Sequence, residues 1–455
     1  LPACHAAALG RNSFPVADPI YDALIIGCGP GGSSAATFLA RAGKRVLVLE
    51  KEVFPRFHIG ESLLPCNMTI FRDMGVLPAL QAAGFPRKFG AQFEISNGSL
   101  AARFAFRAGK FNREPEAIQV ERATFDHILL RHARSSGADV REGWTVTRFD
   151  TESDGVSVEA RDPEAKSHHF RASFLIDASG RGNVTGNQDN LRVIHPSWKK
   201  VAVFSQFENV ALDAGELATD TVITRLENKW FWTIPLTQTK TSVGLVIDKD
   251  EFNKSQGAPG EVFQRWVDLT PPMKKRMLQA RRVGDFRTTS DFSYYNRSFV
   301  GHRLLRVGDA AGFMDPIFSA GVFLAMWSGR LAADVVTQSL ARGKPAARHF
   351  ARYERRLRKG LKFYWRVVEN YYTTPFMELF LRPRDHCDLP SAVIAVLAGE
   401  VEGGWSLRWR LEYFFLLIKI QKRFPIVPRI SFGPRRADGR PLRVEREKFE
   451  PKNSN

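Results

Sequence analysis

Four cysteines in 455 residues, Cys4, Cys28, Cys66 and Cys387, are too few and too scattered for a disulfide framework or a CxxC metal or redox pair. They read as reduced thiols of a cytosolic protein, and no metal site is expected. No apolar run reaches the roughly 18–20 residues that a membrane span needs. Residues 1–20 lack a basic n-region and a long apolar h-region, so no signal peptide is expected. Acidic residues are in deficit, 48 against 66 Lys and Arg, which leaves a net charge of +18. An excess of that size suggests an acidic partner: an anionic substrate, an acidic carrier protein, nucleic acid or a lipid surface. No nucleic-acid-binding motif accompanies the charge, so nucleic acid is set aside. With 44% apolar and 25% charged residues the composition is that of a globular chain, long enough for two or three interleaved domains.

Tyr21–Ile26 reads as a buried strand, followed by a Gly-rich loop, a helix through Ser33–Arg41, and a second strand, Arg45–Leu49, that ends at Glu50. This is a βαβ opening. Alternating stretches around Val140–Ala178, such as Val156–Ala160, predict antiparallel strands. A strand-rich middle is expected over 190–295, including Trp230–Pro235 and Ser242–Ile247. Leu304–Gly308 is a further buried strand, and Gly321–Leu340 has helical spacing. Beyond about 345 helical patterns dominate, including Ser391–Leu397 and Leu411–Ile420. A basic tail rich in Pro, Arg and Gly follows from Phe424. The apolar run Tyr413–Ile418 is short and reads as a core helix rather than a membrane dock.

Gly27-Cys28-Gly29-Pro30-Gly31-Gly32 fits G-x-G-x-x-G between a strand and a helix. Gly27 makes the tight turn, Gly29 lets the backbone approach a pyrophosphate, and Gly32 permits close packing. The helix N-terminus then faces the phosphates, with Ser33 in its first turn. Glu50 stands eighteen residues after Gly32, at the end of the next strand, where a carboxylate binds ribose hydroxyls. There is no second loop of this kind, so a separate nicotinamide-nucleotide domain is not indicated.

Three later segments bear on which dinucleotide binds. Gly308-Asp309-Ala310-Ala311-Gly312, Leu175–Gly180, and Glu121-Arg122 with Phe125-Asp126 resemble, in order, motifs of the p-hydroxybenzoate-hydroxylase-like flavoproteins. The resemblance implies FAD, with Asp309 at the ribityl and pyrophosphate region and Arg122 as a further contact. It also implies an α/β fold: a p-hydroxybenzoate-hydroxylase-like FAD-binding Rossmann domain with an inserted antiparallel-sheet substrate domain and a helical C-terminal region. The expected divisions are 20–190, with some strands of the substrate domain, and 296–345 for the FAD-binding parts, 191–295 for the sheet domain, and 346–455 for the basic, helical end.

Within that frame Trp230-Phe231-Trp232-Thr233-Ile234-Pro235 matches W-x-W-x-I-P, and Phe313–Gly321 matches F-x-x-P-x-x-S-x-G at every fixed position. Together with Lys88 in Gly84-Phe85-Pro86-Arg87-Lys88-Phe89-Gly90 and the segment Phe54–Pro65, these resemble flavin-dependent halogenases over residues 20–345. The bland readings are one face of a buried strand, a helix-start loop and a surface lysine, the usual place for lysine. In the family, Trp230, Trp232 and Pro235 would keep substrate off the flavin, and the amides of Ala320 and Gly321 would bind chloride or bromide beside the flavin, which Gly321 would also contact. Lys88 would deliver the oxidised halogen, helped by a pKa lowered through desolvation. His58, Glu61 and Ser319 would line the site.

Phe318 occupies the position where tryptophan halogenases carry glutamate, which places the chain with phenol and pyrrole halogenases and adds Phe318 to the gating residues. The implied reaction uses FAD reduced by a separate flavin reductase, oxygen, halide, and a small electron-rich arene, free or on an acidic acyl-carrier protein. The alternatives are an FAD monooxygenase, which needs substrate to pass Trp230 and Trp232, and an FAD-dependent reductase of prenyl or lipid double bonds with peripheral membrane contact.

Overall fold

The computed structural model describes residues 21–195, 198–290 and 293–433. Cys4, the N-terminal segment and the tail beyond 433 lie outside the described residues. The opening is the expected one: strand β1 (Tyr21–Ile26), helix α1 (Pro30–Arg41) and strand β2 (Val46–Glu50). Strands β3 (Gly90–Ile95) and β4 (Ala101–Ala105) come next. Helix α2 (Arg122–Ser135) leads to β5 (Asp139–Glu142), β6 (Thr145–Thr151), β7 (Val156–Arg161) and β8 (Ser167–Asp177). Strands β9 (Lys200–Glu208), β10 (Thr221–Arg225), β11 (Trp230–Pro235) and β12 (Lys240–Asp248) form the middle, and β13 (Leu304–Arg306) precedes helix α3 (Ala320–Leu340).

One sheet has the order β13-β8-β1-β2-β5, all parallel, with β7 and β6 added antiparallel along the first part of β8. Its central strands are buried on both faces, as the continuous runs Ala-Leu-Ile-Ile and Val-Leu-Val-Leu require. α1 covers one face and is itself covered by α3 and α2. The second sheet runs β9-β12-β11-β10-β3-β4; β3 and β4, from residues 90–105, are thus recruited into the sheet that carries the W-x-W-x-I-P strand.

The middle is less uniform than its sequence suggests. Lys249–Lys254, Pro259–Asp268 and Pro271–Met277 are helices. Proline in the first turn and Glu261, whose carboxylate accepts from the Ala258 amide at 2.9 Å, start the second of them. Its Val262, Phe263 and Val267 are buried against the sheet, Phe263 stacking on Phe207. These apolar spacings are helical, and the surrounding strands mask them.

Helices α4 (Ala347–Tyr371), α5 (Thr374–Phe380), α6 (Leu389–Ala398) and α7 (Trp405–Arg423) form the C-terminal bundle. Phe380 docks it on the second sheet, its ring 4.8 Å from Phe93 and 4.6 Å from Phe104. Phe414, Phe415 and Ile418 of α7 are buried, the core role expected for the 413–418 run. No described helix is long and apolar enough to cross a membrane. The first residues of the basic tail are irregular and strap back: Ser96 Oγ donates to the Phe432 carbonyl, and buried Glu378 accepts from the Ile430 amide and Arg429.

Candidate active site

A cavity of about 470 Å³ opens where β1, β2 and β13 end, between the two sheets. That is where a doubly wound sheet ordinarily takes its ligand. Gly27 has φ +91°, and a Cβ on it would stand 2.6 Å from the Ala178 carbonyl oxygen. A Cβ on Gly32 would fall 1.9 Å from the oxygen of Gly27, so the turn closes only with glycine at both positions. Gly27, Gly29 and Gly31 form cavity wall, and α1 starts there with no side-chain cap on its first N–H groups. Ser33 does not reach the cavity. Its hydroxyl donates to the Cys28 carbonyl at 2.7 Å, inside the loop.

Glu50 is buried at the wall. Its Oε2 accepts from the Cys28 amide (2.6 Å) and its Oε1 from the Glu52 amide (2.9 Å); burial raises its pKa, and these two N–H groups oppose the rise. Across the cavity the Asp309 carboxyl is pushed up to about 6 by burial, with Arg181 and Arg122 opposing the shift. Arg122 also lines the wall, with most of its donors already in use. Nε and Nη2 grip Asp126 at 2.8 Å each, and Nη1 donates to the Ile59 carbonyl at 2.6 Å, which holds the 59–61 loop. Backbone amides at an open helix start, a carboxylate beside the second strand and a second carboxyl at the far end suit an adenine dinucleotide lying across β1 and β2.

The middle of the cavity is bounded by Trp230, Trp232 and Ile234, alternate residues on one face of β11. Trp232 lies opposite Gly244 of β12, where a Cβ would meet its ring at 2.2 Å; the indole fits only because Gly244 has no side chain. Its Nε1 donates to Ser242 Oγ at 3.1 Å. Pro235 ends the strand outside the wall. Ser319 (φ +54°) and Gly321 complete the wall at the start of α3, with Ala320 buried between them as the first helical residue.

Phe318, expected among the gating residues, does not line the cavity. Its ring packs edge-on to Tyr371 at 5.6 Å and faces the apolar interior of the C-terminal bundle, away from the cavity. The reason is the left-handed Ser319, which reverses the chain and sends adjacent side chains to opposite sides.

Lys88 is buried, and burial lowers its amine to about 7, with Asp220 opposing. Nζ donates to Ser62 Oγ (2.8 Å) and the Leu63 carbonyl (3.1 Å) and lies over the Phe106 ring. The lysine stands one residue behind the cavity: Ser62 and Thr221, joined hydroxyl to hydroxyl at 2.7 Å, are the groups that reach the wall. Glu61 beside them is buried with Oε2 unpartnered, and burial raises it to about 7, against hydrogen bonds from Ser242 and Gln206. His58, also at the wall, is held down near 4 by burial and by Arg122, its Nδ1 close to the Ile59 carbonyl.

The sequence reading missed Ser62 and Thr221, which join Lys88 to the cavity, and Asp315 and Tyr372, which stand behind Trp230. Asp315 sits inside the F-x-x-P motif at a free position, and Tyr372 looks like any aromatic at a helix end.

The fold and the cradle define a flavoprotein of the FAD-binding class: a family model described as FAD binding domain matches residues 20–368. Within that class the chain belongs to the flavin-dependent halogenases. It is 32% identical over 416 residues to the 1H-pyrrole-2-carbonyl-[peptidyl-carrier protein] chlorinase of Pseudomonas fluorescens, covering 86% of this chain and 92% of that protein. The corresponding brominase of Pseudoalteromonas luteoviolacea is 35% identical over 326 residues, 70% of this chain and 78% of that one. Among solved structures, the myxobacterial chondrochloren halogenase superposes with a TM-score of 0.74 at 31% identity, covering 88% and 97% of the two chains. The flavin-dependent brominase Bmp2 superposes at 0.79 and 30% identity, covering 88% and 100%.

Proposed function

We propose that this halogenase uses reduced FAD, supplied by a separate flavin reductase, and oxygen to oxidise chloride or bromide, and places the halogen on an electron-rich pyrrole or phenol through Lys88. When bound, reduced FAD together with oxygen supplies the oxidising equivalents. Gly27, Gly29, Glu50, Arg122 and Asp309 hold the cofactor, and the amides that open α3 at Ala320 and Gly321 attract the halide. Trp230 and Trp232 exclude the arene from that part of the cavity, which keeps oxygen transfer from competing.

The observation that carries the reading is the desolvated Lys88 hydrogen-bonded through Ser62 to the cavity wall. A buried amine with a pKa near 7 is available at neutral pH as a donor to hypohalous acid relayed by the Ser62 hydroxyl, and as a nucleophile towards it once that hydroxyl turns aside. Glu61, neutral in part at the same pH, is placed to exchange protons on the same side of the cavity.

A carrier-borne substrate is supported by two of the relatives, whose names specify pyrrole-2-carbonyl on a peptidyl-carrier protein. It is supported also by α4. Arg348, Arg352, Arg355, Lys359 and Lys362 are exposed, recur at steps of three or four residues and so share one side of the helix. Among the described residues no acidic side chain pairs with them, whereas the flanking Arg356, Arg358 and Arg366 are paired with Glu402, Glu354 and Glu412. An acidic carrier would neutralise that stripe.

The test is to supply FAD, a flavin reductase, bromide or chloride, and either pyrrole-2-carbonyl-loaded carrier or free pyrrole-2-carboxylate, and to analyse products by mass spectrometry. Halogenated product that disappears with Lys88→Ala, while oxidised halide is still trapped, supports the reading. Oxygenated product without halide dependence identifies a monooxygenase, and absence of any oxidised product identifies a reductase.

A further inference from the structure

Trp230 and the F-x-x-P-x-x-S-x-G loop are more than eighty residues apart in the chain, yet they are joined by a single side chain from neither. Trp230 Nε1 donates to Tyr372 Oη at 2.9 Å, and Tyr372 Oη is 2.9 Å from Asp315 Oδ2. Asp315 Oδ1 accepts from the Ile317 amide at 3.0 Å. The direction of the chain is fixed by chemistry. An indole N–H can only donate, so the phenol oxygen accepts there and its one proton is left for Asp315. With Asp315 ionised, the carboxylate accepts at both oxygens.

At neutral pH Asp315 stays mainly ionised, because the groups around it offset part of the cost of burial. Asp315 is buried, and burial raises its pKa to about 6, but Lys200 and Arg225 oppose the rise. The same two cations clamp the tyrosine: Lys200 Nζ lies 4.5 Å from the Tyr372 ring centre, and the Arg225 guanidinium 5.2 Å. Arg225 Nη2 also donates to the Tyr372 carbonyl at 3.3 Å, and Arg225 lies opposite Trp230 in the β10–β11 ladder. Lys200 is held in turn by Asp248 at 2.7 Å and the Asn228 carbonyl. Tyr372, directly after α4, is thus anchored to the sheet before it makes either hydrogen bond.

We infer that Tyr372 is a positioning residue that couples the tryptophan wall to the halide loop, so that the orientation of Trp230 and the geometry of the Ser319–Gly321 turn are set together. Ile317, held by Asp315, lies two residues before Ser319, and the indole held by Tyr372 is the opposing wall. Without the phenol oxygen the buried indole N–H and Asp315 Oδ2 both lose their partner, and each relaxes independently. The inference rests on the halogenase reading for what the loop binds, although the hydrogen-bonded connection stands without it.

The experiment uses the full-length, FAD-loaded chain with bromide as the probe and has two arms. In the first, indole ¹⁵N–¹H spectra are recorded, and the Trp230 signal is assigned by its loss in Trp230→Phe. Bromide is expected to shift that signal in the wild type. Tyr372→Phe is expected to move it towards the position of a non-hydrogen-bonded indole and to abolish its response to bromide. In the second arm, bromide dependence is read with a hypohalite trap, without any arene. Tyr372→Phe is expected to raise the bromide KM roughly tenfold, the effect of about one hydrogen bond, with kcat and FAD affinity changed by less than about twofold.

Asp315→Asn, which removes one acceptor of the chain and keeps its shape, should move bromide KM in the same direction. Combining Tyr372→Phe with Trp230→Phe should add little to the larger single effect. A wild-type indole signal indifferent to bromide overturns the coupling, as do additive single effects or a loss confined to FAD affinity. If no oxidised halide is trapped from the wild type, the halogenase reading fails; the spectral arm still decides the coupling.

Discussion

Replacing Lys88 by methionine separates the electrostatic cost of this residue from its chemistry. In the unfolded chain the amine titrates near 10.5, and in the fold burial brings it down to about 7. At 1.36 kcal/mol per unit the difference corresponds to roughly 5 kcal/mol. The sign follows from proton counting. Below pH 7 both states hold the proton, and the folded protein carries the whole cost of a buried ammonium. Between about 7 and 10.5 the unfolded chain binds the extra proton, so stability rises with pH and the cost fades. Methionine has similar length and no charge, but it gives up the hydrogen bonds to Ser62 and the Leu63 carbonyl, worth about 1–3 kcal/mol together. Lys88→Met should therefore stabilise by roughly 2–4 kcal/mol at pH 6, less at pH 8, and be neutral or slightly destabilising at pH 10. Urea unfolding of both proteins at the three pH values, with FAD saturating in each, measures this. A stability difference independent of pH, or one that grows with pH, would refute the assignment of a desolvated amine. The same variant should oxidise bromide and fail to halogenate an arene.

Gly244→Ala places a methyl group about 2.2 Å from the Trp232 ring and should destabilise by about 1–3 kcal/mol, the usual range for overpacking. A melting curve and the tryptophan emission of the variant report it, and an unshifted emission would mean that the indole is not seated there. Glu50→Gln should weaken FAD about ten- to a hundredfold by losing a charged partner of the ribose and of the Cys28 amide; fluorescence titration reads it, and an unchanged Kd removes Glu50 from the site. The Cys28 thiol is pushed up to about 12 by burial, whereas Cys387 is exposed. Iodoacetamide at pH 8 should label Cys387 and leave Cys28 intact, as peptide mass spectrometry would show. Equal labelling would show the Gly loop to be open.

What the sequence made legible follows from how many constraints a segment carries. The Gly loop, the buried strands beside it and Glu50 could be placed because each residue type there answers one local demand: a positive φ, a close backbone approach, a carboxylate at a strand end. Trp230, Trp232 and Ile234 could be put on one face by alternation alone, and Lys88 could be suspected because of its motif. The helices over 249–277 were hidden by the strands on either side, since their short apolar spacing is ambiguous without the caps. Phe318 and Ser33 lie off the cavity wall for a different reason: Phe318 is next to Ser319 and Ser33 is two residues past Gly31, both of which reach the wall, and a short step along the backbone turns a side chain away from it.

Tyr372 shows the deeper limit. It is 142 residues from Trp230 and 57 from Asp315, and nothing in its own neighbourhood marks it. Its environment is made by Lys200 and Arg225 on two strands, with α4 returning alongside α3 to deliver it to the start of that helix. Motifs specify the groups that a site contains, whereas the packing between motifs specifies how those groups are held. A tyrosine that holds one motif against another has therefore no signature of its own, and it becomes visible only when the two sheets and the C-terminal bundle are seen together.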